Sequence, residues 1–230
     1  MDISILELLD GAKQARGATV IIDVFRAFSL EPIVLDQGAE RLIATGSEET
    51  ARAQKQKDPS IILMGERHGR KLEGFDYGNS PSEVEGISFH GKTVLHTTSA
   101  GTQGLSAASK ADIIFAASLV NARATASVLK QMHPSQVSLV CMGWEGQRNT
   151  EEDLLCAQYI RSLLLGEDCS DIKEKAYQLR YQEGKKFFDP AQADVFPEQD
   201  FWICTDVDRY AFAIQAVPIS LGFSMRKVLP

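Results

Sequence analysis

The sequence predicts an α/β fold, in which strands and helices alternate along the chain. Short β-branched runs are followed by helical segments with turn residues between them, which is the pattern of repeated strand–helix units. The first run, residues 18–25, is almost continuously apolar and is typical of a strand covered on both faces. The 230 residues are 44% hydrophobic and 24% charged, which is enough for a substantial core. We expect a single domain over residues 1–230, built as one α/β unit or as two closely packed α/β halves.

The predicted elements follow one another without a long linker or a short repeat. Ser47 and Thr150 are the expected N-caps of the helices that follow them, and Gly38 is an expected C-cap. Residues 194–209 are polar and aromatic and resemble a surface excursion. Strands are expected at 18–25, 41–45, 61–64, 93–97, 112–116 and 137–142, with an extended segment at 216–228 that turns at Gly222. Helices are expected at 29–37, 51–57, 103–109, 121–132, 151–165 and 171–184.

Residues 65–83 differ from the segments around them. They contain four glycines and one proline and show neither helical nor strand periodicity. Loops of this length inside a compact domain are usually functional or disordered. Phe75 and Tyr77 favour an ordered loop, and therefore a functional one.

Charge and cysteine content restrict the classes of partner. The net charge of −7 and the pI of about 5.2 argue against a broad basic face for nucleic acid, whereas a focused pocket for a small anion remains open. The chain opens without a cationic leader, and no apolar run is long enough to span a bilayer. The four cysteines are widely spaced, which suits reduced core thiols better than a zinc site. We expect a cytoplasmic protein with no membrane partner, and a homodimer only because homodimers are common.

Residues suited to anion chemistry follow the ends of several predicted strands. Asp23 and Arg26 come after the first strand, Glu66 and Arg67 after the third, and the loop 97–102 after the fourth. In open α/β sheets, ligands bind beyond the carboxyl ends of the strands. Carboxylates suit Mg²⁺, arginine forks match phosphate, and a Gly/Thr loop that enters a helix offers N–H donors. This combination predicts a site for a phosphorylated anion and a divalent cation, built around Asp23 and Arg26.

Each of these residues also has a structural interpretation, which the sequence leaves open. Asp23 could cap the next turn or pair with Arg26, although an idle carboxylate after a buried run is costly. Glu66 and Arg67 could form an exposed ion pair, and the loop 97–102 could be only the start of a helix.

Four further polar residues are judged in the same way. Glu152 and Asp153 could be favourable first-turn charges of a helix or members of the site. A core position is the favoured interpretation for His96, and a surface position for His68.

Several common catalytic motifs are absent. The chain has no GxxxxGK[ST] P-loop, no GxSxG nucleophile elbow and no GxGxxG after the first strand. Phe25 stands where a haloacid-dehalogenase-type phosphatase would have a second aspartate, two residues after Asp23.

Six short blocks of the sequence are informative in combination. They are DVFRA from Asp23, GER from Gly65, GFDYGNSPSE from Gly74, TTSAGT from Thr97, NA at 121–122 and ED at 152–153. In this order and at these separations they resemble the 2-phosphosulfolactate phosphatase family, over residues 20–228. The resemblance implies a three-layer α/β/α fold with a mixed, largely parallel sheet. It also implies a Mg²⁺-dependent hydrolase that converts 2-phospho-3-sulfolactate to 3-sulfolactate and phosphate, a step of coenzyme M biosynthesis.

The resemblance and the residue types together give roles to the predicted site. Asp23, Arg26 and Glu66 are the expected catalytic residues. Oxygens of Asp23, Glu66 and Asp76 are the expected Mg²⁺ ligands, and covalent attack is the alternative role for Asp23. The expected substrate contacts come from a second arginine, from the loop after it and from an anion cradle at the start of a helix, namely Arg67, Asn79, Ser80, Thr97, Thr98, Gly101 and Thr102.

Two positions depart from the family pattern. Phe28 stands in a segment that is usually rich in Thr and Ser, and Ala100 stands where the family usually has Asn. Ala100 lacks the amide of that Asn, and Phe28 could narrow the pocket. The alternatives are therefore a phosphatase for a different phosphorylated hydroxy acid, or a catalytically weakened homologue that binds a small sulfonated or phosphorylated acid. In every case the expected partner is a small anionic molecule.

Overall fold

The computed structural model describes all residues from 1 to 230 and contains ten strands and nine α-helices. The strands are β1 (Asp2–Glu7), β2 (Gly17–Ile22), β3 (Arg41–Ala44), β4 (Ile62–Arg67), β5 (Arg70–Lys71), β6 (Thr93–Thr97), β7 (Ala111–Ala117), β8 (Gln136–Cys141), β9 (Ala213–Ile219) and β10 (Gly222–Val228). The helices are α1 (Leu8–Gln14), α2 (Ala27–Asp36), α3 (Glu48–Lys57), α4 (Pro81–Val84), α5 (Gly101–Ala107), α6 (Ala122–Met132), α7 (Glu151–Leu165), α8 (Ile172–Gln178) and α9 (Glu198–Cys204).

All ten strands belong to one mixed sheet with the order β1-β8-β2-β7-β9-β10-β3-β6-β4-β5. Two parallel blocks, β1-β8-β2-β7 and β3-β6-β4, are joined by the antiparallel strands β9 and β10. Because three antiparallel pairings separate the blocks, they run in opposite local directions. Strand twist of about 20–25° per neighbour accumulates to more than a right angle between β2 and β6. This twist allows the carboxyl ends of both blocks to face one pocket.

Helices cover both faces of the sheet and make three layers. Val20 and Ile22 of β2 pack in the core beneath α6 and α7, whereas Ile21 packs on the opposite face with residues of α2 and α5. Successive strand residues point to opposite faces, which is why the run 18–25 is apolar throughout. The same alternation places Asp23 on the side of Ile21, towards α2 and α5. The predicted α/β/α fold with its mixed, largely parallel sheet is confirmed.

The fold differs from the predicted elements at the start of the chain and in the loop 65–83. β1 and α1 are not anticipated by the sequence analysis, because β1 is only partly buried and pairs with β8 alone. β4 continues to Arg67 and forms a small hairpin with β5. The rest of the loop is ordered, since the Asp76 and Tyr77 N–H groups both donate to Leu63 O.

Two predictions for the C-terminal third are wrong. The helix expected at 171–184 ends at Gln178 and continues as 3-10 turns. The segment 194–209 is not a surface excursion, because it contains α9, whose Asp200 and Phe201 are fully buried. The choice between one domain and two packed halves stays a prediction. No helix of the chain has both the length and the apolar character needed to cross a bilayer.

Candidate active site

A small pocket lies where the ends of β2, β4 and β6 meet the loop after β8. Its volume is about 40 Å³, room for about three waters. Its polar wall brings together the three expected catalytic residues and one expected substrate contact. The polar side chains are those of Asp23, Arg26, Glu66, Asn79, Ser99 and Glu145, and the larger apolar ones are those of Phe25, Trp144 and Phe196. We refer to this cavity as the Asp23 pocket.

Asp23 is buried at the turn between β2 and α2. Its Oδ1 accepts a hydrogen bond from the Ala27 N–H at 3.2 Å. Burial raises the pKa of this carboxyl group to about 6; the Ala27 N–H lowers it, and the charge of Glu66 raises it again. A carboxylate that is costly to ionise, beside a second carboxylate, is typical of a functional site rather than of a cap.

Gly101, the first residue of α5, lies directly against Asp23. A Cβ atom at this position would be 2.9 Å from Asp23 Oδ2 and 3.0 Å from Phe28 Cζ. The backbone N–H of Gly101 also lowers the pKa of Asp23. Glycine therefore permits the close approach of this helix start to the carboxylate.

The polar groups of Thr98 and Thr102, in the expected anion cradle at 97–102, form hydrogen bonds within the loop. The Thr98 N–H donates to Thr102 Oγ1 at 3.0 Å, the Thr102 N–H donates to Thr98 Oγ1 at 3.2 Å, and Thr102 Oγ1 donates to Thr98 O at 3.0 Å. These bonds use the polar groups that were expected to hold substrate. Thr98 and Thr102 therefore shape the loop, and their contact with the anion stays a prediction.

Glu66 joins two loops at the mouth of the pocket. Its Oε1 accepts from the Ser99 N–H at 2.7 Å, and its Oε2 accepts from the Gly69 N–H at 2.8 Å and from Ser99 Oγ at 3.2 Å. Ser99 was not among the predicted site residues, and the only signal for it was its place in the TTSAGT block. Glu66 is thus neither exposed nor paired with Arg67.

Arg26 is held by a buried salt bridge and by backbone oxygens. Its Nη1 donates to Asp200 Oδ2 at 2.7 Å and to Val195 O at 2.8 Å, and its Nη2 donates to Gly69 O at 3.0 Å. The guanidinium also lies 5.0 Å from the centre of the Phe196 ring. The sequence-based alternative of an Arg26–Asp23 pair is wrong, since the partner of Arg26 is Asp200.

Asp200 organises the loop that carries the expected substrate contacts. Its Oδ1 accepts from Ser80 Oγ at 2.9 Å, from the Ser82 N–H at 2.8 Å and from Ser82 Oγ at 2.7 Å. The hydroxyl of Ser80 is therefore engaged in holding its own loop. Sequence reasoning missed Asp200, because nothing near it in the chain marks it as buried.

Asn79 is the end of a buried hydrogen-bonded chain. Its Oδ1 lies 3.1 Å from His96 Nε2, and His96 Nδ1 lies 2.9 Å from Glu31 Oε1. Glu31 and His96 are fully buried, so the core position expected for His96 is confirmed. With its oxygen held by His96, the amide of Asn79 leaves its NH₂ group for the pocket that it lines.

Two predicted site residues lie away from the pocket. Asp76 Oδ2 accepts from the Leu63 N–H at 2.7 Å and from Lys55 Nζ at 2.9 Å, and it does not share the pocket with Asp23 and Glu66. The expectation that it joins them as a ligand is corrected: its carboxylate fixes the loop to β4.

Arg67 likewise forms its hydrogen bonds with neighbouring residues and lies outside the pocket. It donates to Glu66 O at 2.6 Å and to Thr97 Oγ1 at 3.2 Å, and it does not line the pocket. Arg67 and Thr97 are hydrogen-bond partners and neither lines the pocket, and their contact with the substrate stays a prediction.

Asp153 connects the ends of β2 and β8. Its Oδ1 accepts from the Val24 N–H and its Oδ2 from the Gly143 N–H, both at 2.8 Å. Burial raises the pKa of this group well above its ordinary value, and the charges of Glu152 and Asp23 raise it further. Asp153 is a positioning residue behind the pocket. Glu152 is also buried, with burial raising its pKa to about 7 while the charge of Lys186 lowers it.

Three carboxylates line the pocket, those of Asp23, Glu66 and Glu145. Because Glu145 Oε1 lies 2.6 Å from His68 Nδ1, the carboxylates of Asp23 and Glu66 are the two left for a metal ion. No group of three or more His, Cys, Asp or Glu side chains is arranged as a metal site. Mg²⁺ usually keeps several waters and is bound through one or two carboxylates together with substrate phosphates. The donor set therefore fits Mg²⁺ held jointly with a phosphorylated substrate, and it does not fit a zinc-type site.

The chain resembles proteins of one family along most of its length. Residues 3–211 match the family model described as 2-phosphosulpholactate phosphatase. A probable 2-phosphosulfolactate phosphatase of Caldicellulosiruptor saccharolyticus is 41% identical over 150 residues, which cover 64% of this chain and 62% of that protein. Proteins of the same description are 37% identical in Synechococcus sp., over 69% of this chain and 66% of that protein, and 36% identical in Carboxydothermus hydrogenoformans, over 77% and 73%. The match thus spans slightly less than two thirds of the first two relatives.

Proposed function

The chain belongs to the 2-phosphosulpholactate phosphatase family, and we propose on this premise that it hydrolyses the phosphate ester of 2-phospho-3-sulfolactate with Mg²⁺. The observation that carries the proposal is the convergence of Asp23, Glu66 and Arg26 in one pocket. Hydrolysis of a phosphate ester requires neutralised charge on the phosphoryl oxygens and a positioned nucleophile. The product 3-sulfolactate would enter coenzyme M biosynthesis, as the resemblance implies.

Arg26 is suited to bind the phosphoryl group. A guanidinium has five N–H groups, and the bonds to Asp200, Val195 and Gly69 use only part of them. The remaining donors belong to a side chain that lines the pocket and whose position is fixed by a buried carboxylate. A preorganised donor of this kind stabilises developing negative charge without reorganising during the reaction.

Asp23 and Glu66 would hold the magnesium ion. When bound, Mg²⁺ neutralises charge on the phosphoryl oxygens and lowers the pKa of a bound water. The charge of Glu66 contributes, after burial, to the raised pKa of Asp23, so a cation shared by both carboxylates would relieve their repulsion. The N–H groups of Ala27, Gly69 and Ser99 orient the two carboxylates.

Asn79 would contact a substrate oxygen through its NH₂ group. His96 binds its Oδ1, which fixes the orientation of the amide. The buried pair of His96 with Glu31 restricts the ring in turn, as is usual for residues that support a functional group.

A phosphatase for another phosphorylated hydroxy acid is the second candidate, and Ala100 favours it. Ala100 lines the pocket at a position where an Asn amide is expected from the family pattern. Phe28 gives no such support: it is the second residue of α2, is fully buried in the core and does not line the pocket, so the expectation that it narrows the site is corrected.

Phosphate release from 2-phospho-3-sulfolactate tests the proposal. We expect turnover that requires Mg²⁺ and stops when EDTA is added. The same assay with 2-phospholactate, 2-phosphoglycolate and 3-phosphoglycerate distinguishes the two candidates through their kcat/KM values. Equal turnover in EDTA would exclude the metal role, and a clear preference for a substrate without a sulfonate would select the second candidate.

A further inference from the structure

We propose that Lys186 binds the sulfonate group of the substrate, in a basic cavity that adjoins the Asp23 pocket; the proposal rests on the function proposed above. The basic cavity has a volume of about 350 Å³. Its charged lining is largely cationic, in a chain whose net charge is −7. The cationic side chains are those of Arg70, Arg148 and Lys186, and Glu183 is the acidic member.

The two cavities are neighbours. Trp144 and Phe196 line both of them. The Asp23 pocket has a volume of only about 40 Å³, which suits a phosphoryl group better than a molecule with two further anionic groups. A substrate whose phosphate lies beside Asp23 must therefore extend beyond this pocket, and the basic cavity is one of the cavities that share lining residues with it.

Lys186 is surrounded by aromatic rings. Its Nζ lies 4.5 Å from the ring centre of Trp144, 5.3 Å from that of Phe196, 5.6 Å from that of Phe187 and 5.7 Å from that of Phe25. Three of these rings also line the Asp23 pocket. The ammonium group is thereby fixed at the boundary between the two cavities.

The ammonium group of Lys186 has no acceptor in the chain. Its nearest acidic neighbours are Glu152 and Glu183, which act on its pKa through charge, but neither forms a salt bridge with it. Glu183 instead pairs with Arg148, with Oε2 at 3.0 Å from Nη2. Desolvation lowers the pKa of Lys186, and the residue is half-buried rather than sealed from water.

The alternative is that Lys186 has only a structural cation–π role, and this alternative leaves its N–H donors without an explanation. Aromatic rings attract the positive charge, but they offer no oxygen acceptor to its three N–H donors, and because Lys186 is only half-buried these donors are open to a ligand that enters the cavity. A ligand oxygen would satisfy them. A sulfonate has three oxygens that share one permanent charge, which matches three donors of an ammonium group, and its adjoining CH₂ suits the aromatic walls.

The test compares two substrates and three variants. Lys186→Met removes the charge at similar volume, Lys186→Arg retains it, and Lys185→Met changes the exposed neighbouring lysine as a control. For 2-phospho-3-sulfolactate we expect Lys186→Met to raise KM about ten- to a hundredfold, as for the loss of a charged hydrogen bond. For 2-phospholactate, which has a methyl group in place of the sulfomethyl group, KM should change less than threefold. Lys186→Arg should lose less affinity than Lys186→Met, and Lys185→Met should match the wild type.

A second measurement uses the unaltered protein and needs no turnover. Lysines are acetylated with limiting acetic anhydride in the presence of 3-sulfolactate or lactate, and the modified sites are quantified by mass spectrometry. We expect 3-sulfolactate to slow acetylation of Lys186 at least fivefold and to leave Lys185 unchanged, whereas lactate should protect neither.

Equal protection by lactate, or none by 3-sulfolactate, would overturn the assignment of Lys186. An equal rise of KM for both substrates would likewise exclude the sulfonate, because it would indicate the shared carboxylate or phosphate as the bound group. Failure of the proposed function is a separate result: the wild type would then release no phosphate from either substrate, while the protection experiment would still report on the cavity.

Discussion

Asp200 forms a buried salt bridge with Arg26, with Oδ2 and Nη1 2.7 Å apart, across a sequence separation of 174 residues. The side chains are 0% and 3% exposed, respectively. Through its other oxygen, Asp200 binds Ser80 and Ser82. One carboxylate therefore positions both the arginine expected to bind phosphate and the loop that carries Asn79.

Replacement of Asp200 by alanine should destabilise the fold strongly. The change leaves the guanidinium of Arg26 buried without its counter-charge, which typically costs about 3–5 kcal/mol. Urea unfolding followed by circular dichroism measures this loss. Asp194→Ala is the control, because Asp194 lies in the same segment but is exposed, and its one ion pair, with Arg70, is long at 3.9 Å. Loss of such a surface pair should lower the free energy of unfolding by less than about 1 kcal/mol. Similar losses for the two variants would contradict the role of Asp200.

Replacement of Gly101 by alanine should reduce activity more than stability. The new Cβ atom would lie 2.9 Å from Asp23 Oδ2, so the carboxylate must move, and displacement of a catalytic group by about 1 Å can cost on the order of a hundredfold in rate. The kcat of phosphate release and the melting temperature of the variant measure the two effects. At Gly46, a Cβ would meet the flexible end of Gln103 at 3.3 Å, and Gly46→Ala should retain activity. A fully active Gly101→Ala variant would show that the close contact between the start of α5 and Asp23 is not needed for activity.

Asp76→Asn should weaken the fold without changing the response to Mg²⁺. Partial burial raises the pKa of Asp76, but the Leu63 N–H and Lys55 together lower it below its ordinary value. A lowered pKa in the folded state means that the carboxylate stabilises the protein above the pKa of the unfolded chain, and that this contribution disappears as the pH falls through the folded value.

Urea unfolding at several pH values measures this contribution. At pH 7 the variant should be less stable by about 1 kcal/mol, and the two proteins should converge below about pH 4. Phosphate release at varied Mg²⁺ concentration should give the same half-saturating concentration for both. A large rise of that concentration in Asp76→Asn would restore Asp76 as a metal ligand.

The fold and the centre of the site could be predicted because their signals are local. The apolar run before Asp23 indicates a strand buried on both faces, and the period of the strand then determines the side on which this carboxylate lies. His96 was expected in the core for the same reason and is found there. The sequence therefore predicts the burial of residues such as Asp23 and His96, whose environment is set by their own strand.

The remaining features depend on tertiary contacts that one sequence does not reveal. Asp200 lies in a polar segment, and its burial follows only from its pairing with Arg26, far away in the chain. Asp76 was assigned to the metal by composition, whereas Lys55, 21 residues away, determines its contacts. The hydroxyls of Thr98 and Thr102 each accept a hydrogen bond from the other residue's N–H, and a motif alone does not distinguish loop closure from ligand binding.

The central claim is that the proposed phosphate-ester hydrolysis requires Asp23, and the most direct test compares the wild type with Asp23→Asn. Both proteins are assayed for phosphate release from 2-phospho-3-sulfolactate at saturating Mg²⁺, after circular dichroism has established that both are folded. The wild type should release phosphate and 3-sulfolactate in equal amounts, and kcat of Asp23→Asn should fall about a thousandfold or more, as for other single catalytic residues. A variant that retains kcat within about tenfold of the wild type would contradict the account, since a tenfold change corresponds to only about 1.4 kcal/mol of barrier.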